Sequence, residues 1–324
     1  MRIRIAFLAL AVFFGAAPVS AQVAEPKPGP ARTVKIPEVK ESKLDNGLTV
    51  AVIEKRNVPL VTVQMLVRSG AAAEGIDKAG LADVTASLLT KGTKTRTATQ
   101  IAEEIEFLGG SIFSSASWNN SFTTISVTSD KLEQAMAILA DTALNPTFVQ
   151  SELDLLKTQA VDGLTYSLTQ PGFLTSYVTS VYSHGEHPAG GTPASLSSIS
   201  RDDVTSFYSS NFYPGNVVLI FGGDVDAARA TAIAKKHFGS WPAVARTPPI
   251  RETKPAAKRK VDGTVDRILV LDLPNAGQAS VSYALRSSNG RSVASGDSLA
   301  AAPGYYPALT LNSLLGGGYS SRLN

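Results

Sequence analysis

The stretch GLADVTASLLTKGT, residues 80–93, decides how this chain folds. Leu81, Val84 and Leu88 recur within it at the spacing of one helical face. Because residues three and four apart share a face of an α-helix, this pattern predicts an amphipathic helix with one buried side. Asp83 lies between these apolar positions.

Strand and helix patterns surround this segment on both sides. An Asn-Gly turn at residues 44–48 precedes an apolar strand pattern over residues 48–53. Further strands are predicted at residues 60–67, 122–128 and 217–221, and helices at residues 101–108, 132–144, 148–164 and 227–238. Strands joined by turns and interleaved with helices predict a layered α+β domain.

The N-terminus has the form of a secretory signal peptide over residues 1–21. Arg2 and Arg4 precede an apolar run at residues 5–17, and small residues lead to a cut after Ala21. The run is too short to span a bilayer, and no cysteine follows the cut to carry a lipid. We expect a periplasmic or secreted protein with no stable membrane anchor.

The rest of the chain divides by composition. Residues 22–40 predict a flexible lead-in, residues 41–241 a first domain, and residues 242–263, with four prolines, a linker. Strand patterns at residues 268–273 and 279–285 and a helix pattern at residues 306–315 follow. About sixty residues do not close a core of the first domain's size, so we expect a partial, C-terminally truncated second domain over residues 264–324.

Composition excludes several classes of function. Removal of Arg2 and Arg4 takes two positive charges from the formal +3, leaving +1, which gives no reason to expect a nucleic-acid partner. The chain has no cysteine, which excludes disulfides, cysteine-bound zinc and thiol nucleophiles. No Gly-x-Ser-x-Gly elbow and no Lys-Ser/Thr phosphate loop occurs.

Residues 80–93 resemble the signature helix of the pitrilysin/insulinase family of zinc peptidases, in which Gly-Leu-Ala-His-x-x-Glu-His precedes Lys-Gly-Thr. Other motifs of that family follow in order: Leu44–Leu48, Arg68–Gly70, Phe148–Pro171, His187-Pro188, Gly191–Pro193, Phe207-Tyr208, Tyr213–Asn216, Gly222–Val225 and Gly316–Leu323. The resemblance implies α/β sandwich domains of the mitochondrial-processing-peptidase-like type, one complete and a second partial.

The resemblance also implies that the zinc site is lost. In active relatives the two His of the motif and a later Glu bind zinc, and the Glu between the two His is the general base. The three motif positions are Asp83, Ala86 and Ser87 in this chain, and family spacing puts the third ligand at Gly163, or at Asp162 after a slip of one residue. We therefore predict no catalytic residue, no metal and no cofactor here.

Other polar residues carry weaker hypotheses. The region of Ser114, Trp118 and Asn119 corresponds to the part of the family's first domain that offers a strand edge to an extended peptide, so these are weak substrate-binding candidates; a core role for Trp118 is an equal alternative. His184 and His187 flank a predicted turn, which we interpret as a structural loop and not as a metal site.

The resemblance implies a function as half of an enzyme. Family members work as two halves around a chamber, and a half without zinc serves a zinc-bearing sibling. We expect a non-catalytic subunit that binds peptide with such a sibling, which would hold the zinc. The alternatives are a peptide-binding or scaffold protein with no role in proteolysis, and an autonomous metallopeptidase with a relocated site.

Overall fold

A computed structural model describes residues 37–183, 187–244, 268–282 and 305–315. A six-stranded mixed sheet with the order β1-β2-β6-β3-β5-β4 forms its centre. The strands are β1 (Lys40–Lys43), β2 (Thr49–Glu54), β3 (Leu60–Val67), β4 (Ser111–Ala116), β5 (Ser121–Thr128) and β6 (Val217–Gly223). The only parallel pair in this sheet is β2 with β6, and every other neighbouring pair is antiparallel.

Strand β6 completes the sheet although it lies about 150 residues further along the chain than the two strands that it pairs with. It lies between β2 and β3, where Val50 pairs with Leu219 and Val63 with Phe221. The sheet that begins at Lys40 is therefore closed by residues beyond 216.

Helices cover one face of the sheet. The described α-helices are α1 (Leu81–Leu88), α2 (Ala98–Phe107), α3 (Leu132–Leu144), α4 (Gln150–Leu168), α5 (Pro171–Ser183), α6 (Pro193–Ser198), α7 (Arg201–Asn211), α8 (Ala227–Phe238) and α9 (Tyr305–Leu315). Helices α1 and α3 pack on β5, and α8 packs on β2. Val63, Met65 and Phe221 are fully buried beneath these helices.

The other sheet face keeps its side chains half-exposed or exposed, except for the buried Ala51 of β2. Along β5 the two faces alternate strictly, with Ile125 and Val127 buried and Thr124 and Ser126 half-buried. Alternation with period two is what a sheet with one packed face requires. The predicted layered α+β class is confirmed.

Most predicted elements are present. The helices predicted at residues 132–144 and 227–238 match α3 and α8 end for end, whereas α4 begins two residues after and ends four residues after its predicted bounds. Helix α2 begins three residues before its predicted bound and ends one residue before it, at Phe107, and Gly109 just beyond adopts a left-handed conformation with φ of 67°.

In the C-terminal part, the strand predicted at residues 268–273 was wrong, and the described residues 279–282 of the one predicted at residues 279–285 form no strand. Residues 268–282 form no strand, although both patterns there are apolar and partly β-branched. Ile268 and Val270 are 84% and 82% exposed, and a strand without a hydrogen-bonded neighbour is not stable in water. The helix predicted at residues 306–315 is present as α9.

Several predictions fall on residues that the structure does not describe: the signal peptide, most of the lead-in and of the linker, His184 and the Gly-rich segment at residues 316–323. They stay predictions, as do the domain boundaries. Within the described residues, no helix combines the length and apolarity needed to cross a membrane.

Candidate functional site

A buried carboxylate holds the N-terminus of α1. The Glu74 side chain is fully buried and accepts hydrogen bonds from the backbone N–H groups of Gly80 at 2.8 Å and Ala82 at 2.6 Å. Burial raises the Glu74 pKa to about 7, although these two hydrogen bonds lower it and the nearby Asp83 charge raises it further. Glu74 thus satisfies N–H groups that the first turn of a helix leaves without a partner.

Two glycines let the segment before α6 close on the start of α1. Gly80 and Gly191 have φ of 95° and 82°, a region that disfavours residues with a Cβ. A Cβ on either glycine would lie 2.7 Å from side-chain atoms of Leu196, and one on Gly191 also 2.9 Å from the carbonyl oxygen of Ala79. The glycines of the sequence motif are therefore required by close packing around the helix start.

Asp83, at the first metal-ligand position of the family helix, binds protein atoms. Its Oδ1 accepts hydrogen bonds from the Ser115 hydroxyl at 2.7 Å and from the Ala116 N–H at 2.8 Å. These contacts fasten α1 to the last residue of β4. One of its two carboxylate oxygens is therefore already used in a structural contact.

The remaining two positions of α1 differ in their exposure. Ala86, at the position of the general base, is fully buried, whereas Ser87, at the second metal-ligand position, is half-buried. A methyl group sealed in the core neither accepts a proton nor contacts a water. The helix therefore has no group that could activate a nucleophile at position 86.

Helix α4 contributes no ligand opposite α1. Gly163 has no side chain, and a Cβ built there meets no atom within 4 Å. Asp162 beside it is exposed. A catalytic zinc needs three strong N, O or S donors, and an aspartate with one oxygen engaged, a serine hydroxyl and at most one exposed aspartate do not meet that need, so these residues do not fit zinc. Across the described ranges, no cluster of three or more His, Cys, Asp or Glu side chains could hold a metal ion.

The loop after α1 is organised by a buried aspartate. Asp141 on α3 accepts hydrogen bonds from the hydroxyls of Thr93 at 2.6 Å and Thr95 at 2.8 Å, and from Arg96 at 2.8 Å. Burial works to raise the Asp141 pKa, but these hydrogen bonds outweigh it and hold the pKa below its ordinary value. Thr93, the last residue of the Lys-Gly-Thr motif, thus has a structural role.

The three substrate-binding candidates lie on β4 and the turn after it. The Ser114 side chain is buried and donates to the carbonyl oxygen of Phe122 at 3.1 Å, so only its backbone faces outward. Trp118 is half-buried, and its ring meets the His187 ring edge-on at 5.3 Å. His187 Nε2 lies 3.8 Å from Glu74, whereas Asn119 is exposed. The turn therefore packs against His187, which in turn lies beside Glu74 at the start of α1.

The layered α+β fold and the packing around α1 agree with the framework of the family that the sequence resembles. Comparison with known proteins agrees on the framework. The family model described as Insulinase (Peptidase family M16) matches residues 49–171, and the model described as Peptidase M16 inactive domain matches residues 198–324. This chain belongs to the insulinase/pitrilysin family, peptidase family M16.

Relatives and solved structures fit this assignment. A zinc protease of Mycobacterium leprae, described as uncharacterized, is 29% identical over 86% of this chain and 60% of its own length. The mitochondrial-processing peptidase subunit beta of Saccharomyces cerevisiae is 27% identical over 64% of this chain and 46% of its own length. A Pseudomonas fluorescens structure described as a peptidase M16 inactive domain is 26% identical, with a TM-score of 0.59 over 64% of this chain and 51% of that one. The chain spans about half to three fifths of the length of the curated relatives it matches.

Sequence reasoning missed Glu74 and Asp141. Neither lies in a spacing that predicts a site, because each is an isolated acidic residue whose partners are mostly backbone N–H groups or hydroxyls. The one signal available for Glu74 was its place shortly before a glycine that starts a helix.

Proposed function

We propose that this chain is the non-catalytic subunit of a zinc-dependent peptidase of the insulinase family and forms half of a peptide-binding chamber with a zinc-bearing sibling. The zinc and the general base belong to that sibling. This chain supplies a wall of the chamber and a surface for the peptide.

The observation that carries the proposal is the contrast on α1. Gly80, Glu74 and Gly191 retain close packing around the helix start, whereas Asp83, Ala86 and Ser87 supply no metal site and no base. A framework that is kept while its chemistry is absent is what a structural half of an enzyme needs. The name of the yeast relative, a subunit, is in keeping with this role.

Peptide contact is assigned to β4. It is the last strand of the sheet order, and no described strand pairs with its outer edge. An extended peptide can add to such an edge through backbone hydrogen bonds, the mode that the family resemblance implies. Asn119 and Trp118 flank the end of this edge.

We place the protein in the periplasm or outside the cell, on the strength of the basic, apolar and small-residue segments at residues 1–21. Sequencing the N-terminus of the protein recovered from a periplasmic extract tests this. A mature chain that starts at Gln22 supports the proposal, and an intact Met1 in a cytosolic fraction contradicts it.

The activity test uses this chain, the zinc-bearing sibling and their mixture on a quenched fluorescent peptide. We expect turnover by the mixture well above that of the sibling alone, none by this chain with added zinc, and loss of activity with a chelator. Turnover by this chain alone would establish the relocated-site alternative. If the two chains do not associate and the sibling's rate does not change, the subunit role is wrong and the scaffold alternative stands.

A further inference from the structure

The hydrogen-bond pattern of the β4–β5 hairpin shows which backbone groups of β4 face outward. The Ser117 N–H donates to the carbonyl oxygen of Asn120 at 2.7 Å, and Ser115 pairs with Phe122 two residues earlier. Hydrogen-bonded pairs alternate in an antiparallel ladder, so the odd-numbered residues of β4 bond to β5. The N–H and C=O groups of Ile112, Ser114 and Ala116 therefore point away from the sheet.

Asp83 closes one end of this edge. It accepts the outward N–H of Ala116 at 2.8 Å, which leaves that donor unavailable to an added strand. For Ile112 and Ser114, no backbone hydrogen bond on this outer side joins them to any described residue. The complete pairing positions are thus Ile112 and Ser114, and Phe113 is the residue between them.

Phe113 occupies the position where an added strand would contact it most closely. In an antiparallel addition, the residue opposite Phe113 forms a non-hydrogen-bonded pair, in which facing side chains approach most closely. Phe113 is 61% exposed on the open face of the sheet, and its ring centre lies 6.0 Å from that of Phe122. Together the two rings form an aromatic platform beside the edge.

Strand β4 also lacks the features that keep edge strands from pairing. Natural edges are blunted by lysine, proline, bulges or inward charges. The segment SIFSSA at residues 111–116 contains no charge and no proline, and it pairs with β5 without a bulge. An uncharged edge with an exposed aromatic ring favours a partner that is itself extended and apolar at one position.

We infer that the β4 edge selects extended peptides that place an aromatic or large aliphatic side chain opposite Phe113, in a register that Asp83 limits to Ile112 and Ser114. This specificity rests on the proposed peptide-binding function and assigns it a substrate class. The opposing side chain packs on the rings of Phe113 and Phe122, while the neighbouring peptide residues pair with the backbone of β4.

Fluorescence anisotropy with the full chain tests this inference. The probes are labelled ten-residue peptides, uncharged and identical except for Phe, Leu, Ala or Glu at one central position. A second set carries N-methyl groups on the backbone nitrogens of the residues directly before and directly after that position, which would pair with Ile112 and Ser114. The variants are Phe113→Ala, Phe113→Leu and, as a matched control, Phe107→Ala, since Phe107 is an exposed phenylalanine on helix α2.

We expect the Phe peptide to bind about three- to fivefold more tightly than the Ala peptide, the upper part of the range for one cross-strand pair. Phe113→Ala should abolish this preference, Phe113→Leu should keep part of it, and Phe107→Ala should leave it unchanged. N-methylation should reduce binding at least tenfold in every protein. Circular dichroism confirms that each variant is folded.

The outcomes separate this inference from the proposed function. Binding that N-methylation weakens but that ignores the central residue and Phe113→Ala overturns the aromatic selection and leaves the peptide-binding edge standing. If N-methylation has no effect, pairing at β4 itself is wrong. A dimer by light scattering that Phe113→Ala dissociates would show that a second copy occupies the edge, which also overturns the inference.

Discussion

The residues that pack around the start of α1 differ from those at the positions where the family motif carries its reacting groups. At the start, Glu74, Gly80 and Gly191 are in close contact, with hydrogen bonds of 2.6 and 2.8 Å and no room for a Cβ. At the motif positions, Asp83 in the first turn bonds to β4, and Ala86 one turn later is fully buried. One short helix thus combines a strict packing requirement at its start with motif positions that supply no imidazole and no base.

This difference indicates that the packing of the helix start and the residue types at the family's reacting positions are constrained separately. The start of α1 is determined by the fold, because the glycines and the buried carboxylate place the helix against α6 and β4. The motif positions are not needed for that packing of the helix start, although Asp83 adds a contact to β4 and Ala86 fills a buried site. The fold of a family therefore does not imply its chemistry, which has to be argued from the site.

The largest effect on stability is expected at Ala86, whose side chain is fully buried. Ala86→Glu, which restores the family's general base, should lower the free energy of unfolding by about 3–5 kcal/mol, because a carboxylate would enter a site with no exposure and no prepared partner. Urea unfolding followed by circular dichroism measures this.

Ser87→Glu is the matched control for this experiment. Ser87 is half-buried on the same helix, so the same side chain should cost less than about 1 kcal/mol there. If Ala86→Glu is as stable as Ser87→Glu, position 86 is still open and the reaction site has not closed.

The second effect concerns the helix start. Gly191→Ala should destabilise the protein by about 2–4 kcal/mol, because it combines a positive φ with a Cβ 2.7 Å from Leu196. Gly163→Ala is the opposite case: a Cβ meets nothing within 4 Å inside α4, so alanine should stabilise by about 0.5–1 kcal/mol. Chemical denaturation of both variants measures the contrast, and equal effects would remove the distinction between the two regions.

The elements that could be predicted from the sequence are those whose signal is local. Helices α3 and α8 were predicted end for end because apolar periodicity and a clear break define both ends. The motif also assigns Asp83 and Ser87 to the family's ligand positions by spacing alone, and the loss of the zinc site stays a prediction. Local patterns of this kind carry their own boundaries.

Contacts between distant segments were not readable. Glu74 was missed because its role depends on hydrogen bonds from the start of α1, which no local pattern shows. The hydrogen bond between Asp83 and Ala116 likewise joins residues 33 positions apart. The apolar segment at residues 268–273 was wrongly predicted as a strand because a strand depends on its neighbour, which a single pattern does not reveal.

The third effect is a pH dependence that originates at the start of α1. The folded pKa of Glu74, raised by burial to about 7 from an ordinary 4.5, means that the folded state holds the proton more tightly than the unfolded state. Its contribution to stability is therefore complete below pH 4.5 and is lost as the pH rises through 7. Between pH 5 and pH 8 the loss should be roughly 2–3 kcal/mol.

Glu74→Gln isolates this contribution. The variant keeps the shape of the side chain and removes its titration, so its stability should change less than the wild type's between pH 5 and pH 8, by the amount given above. Denaturant titrations at both pH values measure the difference. Because His187 and Asp83 also face Glu74, the same titrations are repeated in His187→Ala and Asp83→Asn backgrounds. Parallel curves for wild type and Glu74→Gln would show that the carboxyl is ionised in the fold at neutral pH.

The smallest effect on stability is expected at the hydrogen bonds by which Asp83 joins α1 to β4. Asp83→Ala removes two hydrogen bonds to an exposed side chain, from the Ser115 hydroxyl and the Ala116 N–H, and should cost about 1 kcal/mol. Asp83→Asn keeps an acceptor oxygen at Oδ1 and should cost only a few tenths of a kcal/mol. Amide hydrogen exchange at Ala116 measures the hydrogen bond to Asp83 directly. We expect faster exchange in the alanine variant and nearly unchanged exchange in the asparagine variant. Unchanged exchange in both would mean that Asp83 does not hold β4. Position 83 would then have no structural role, and its contrast with the closely packed glycines around the helix start would be greater still.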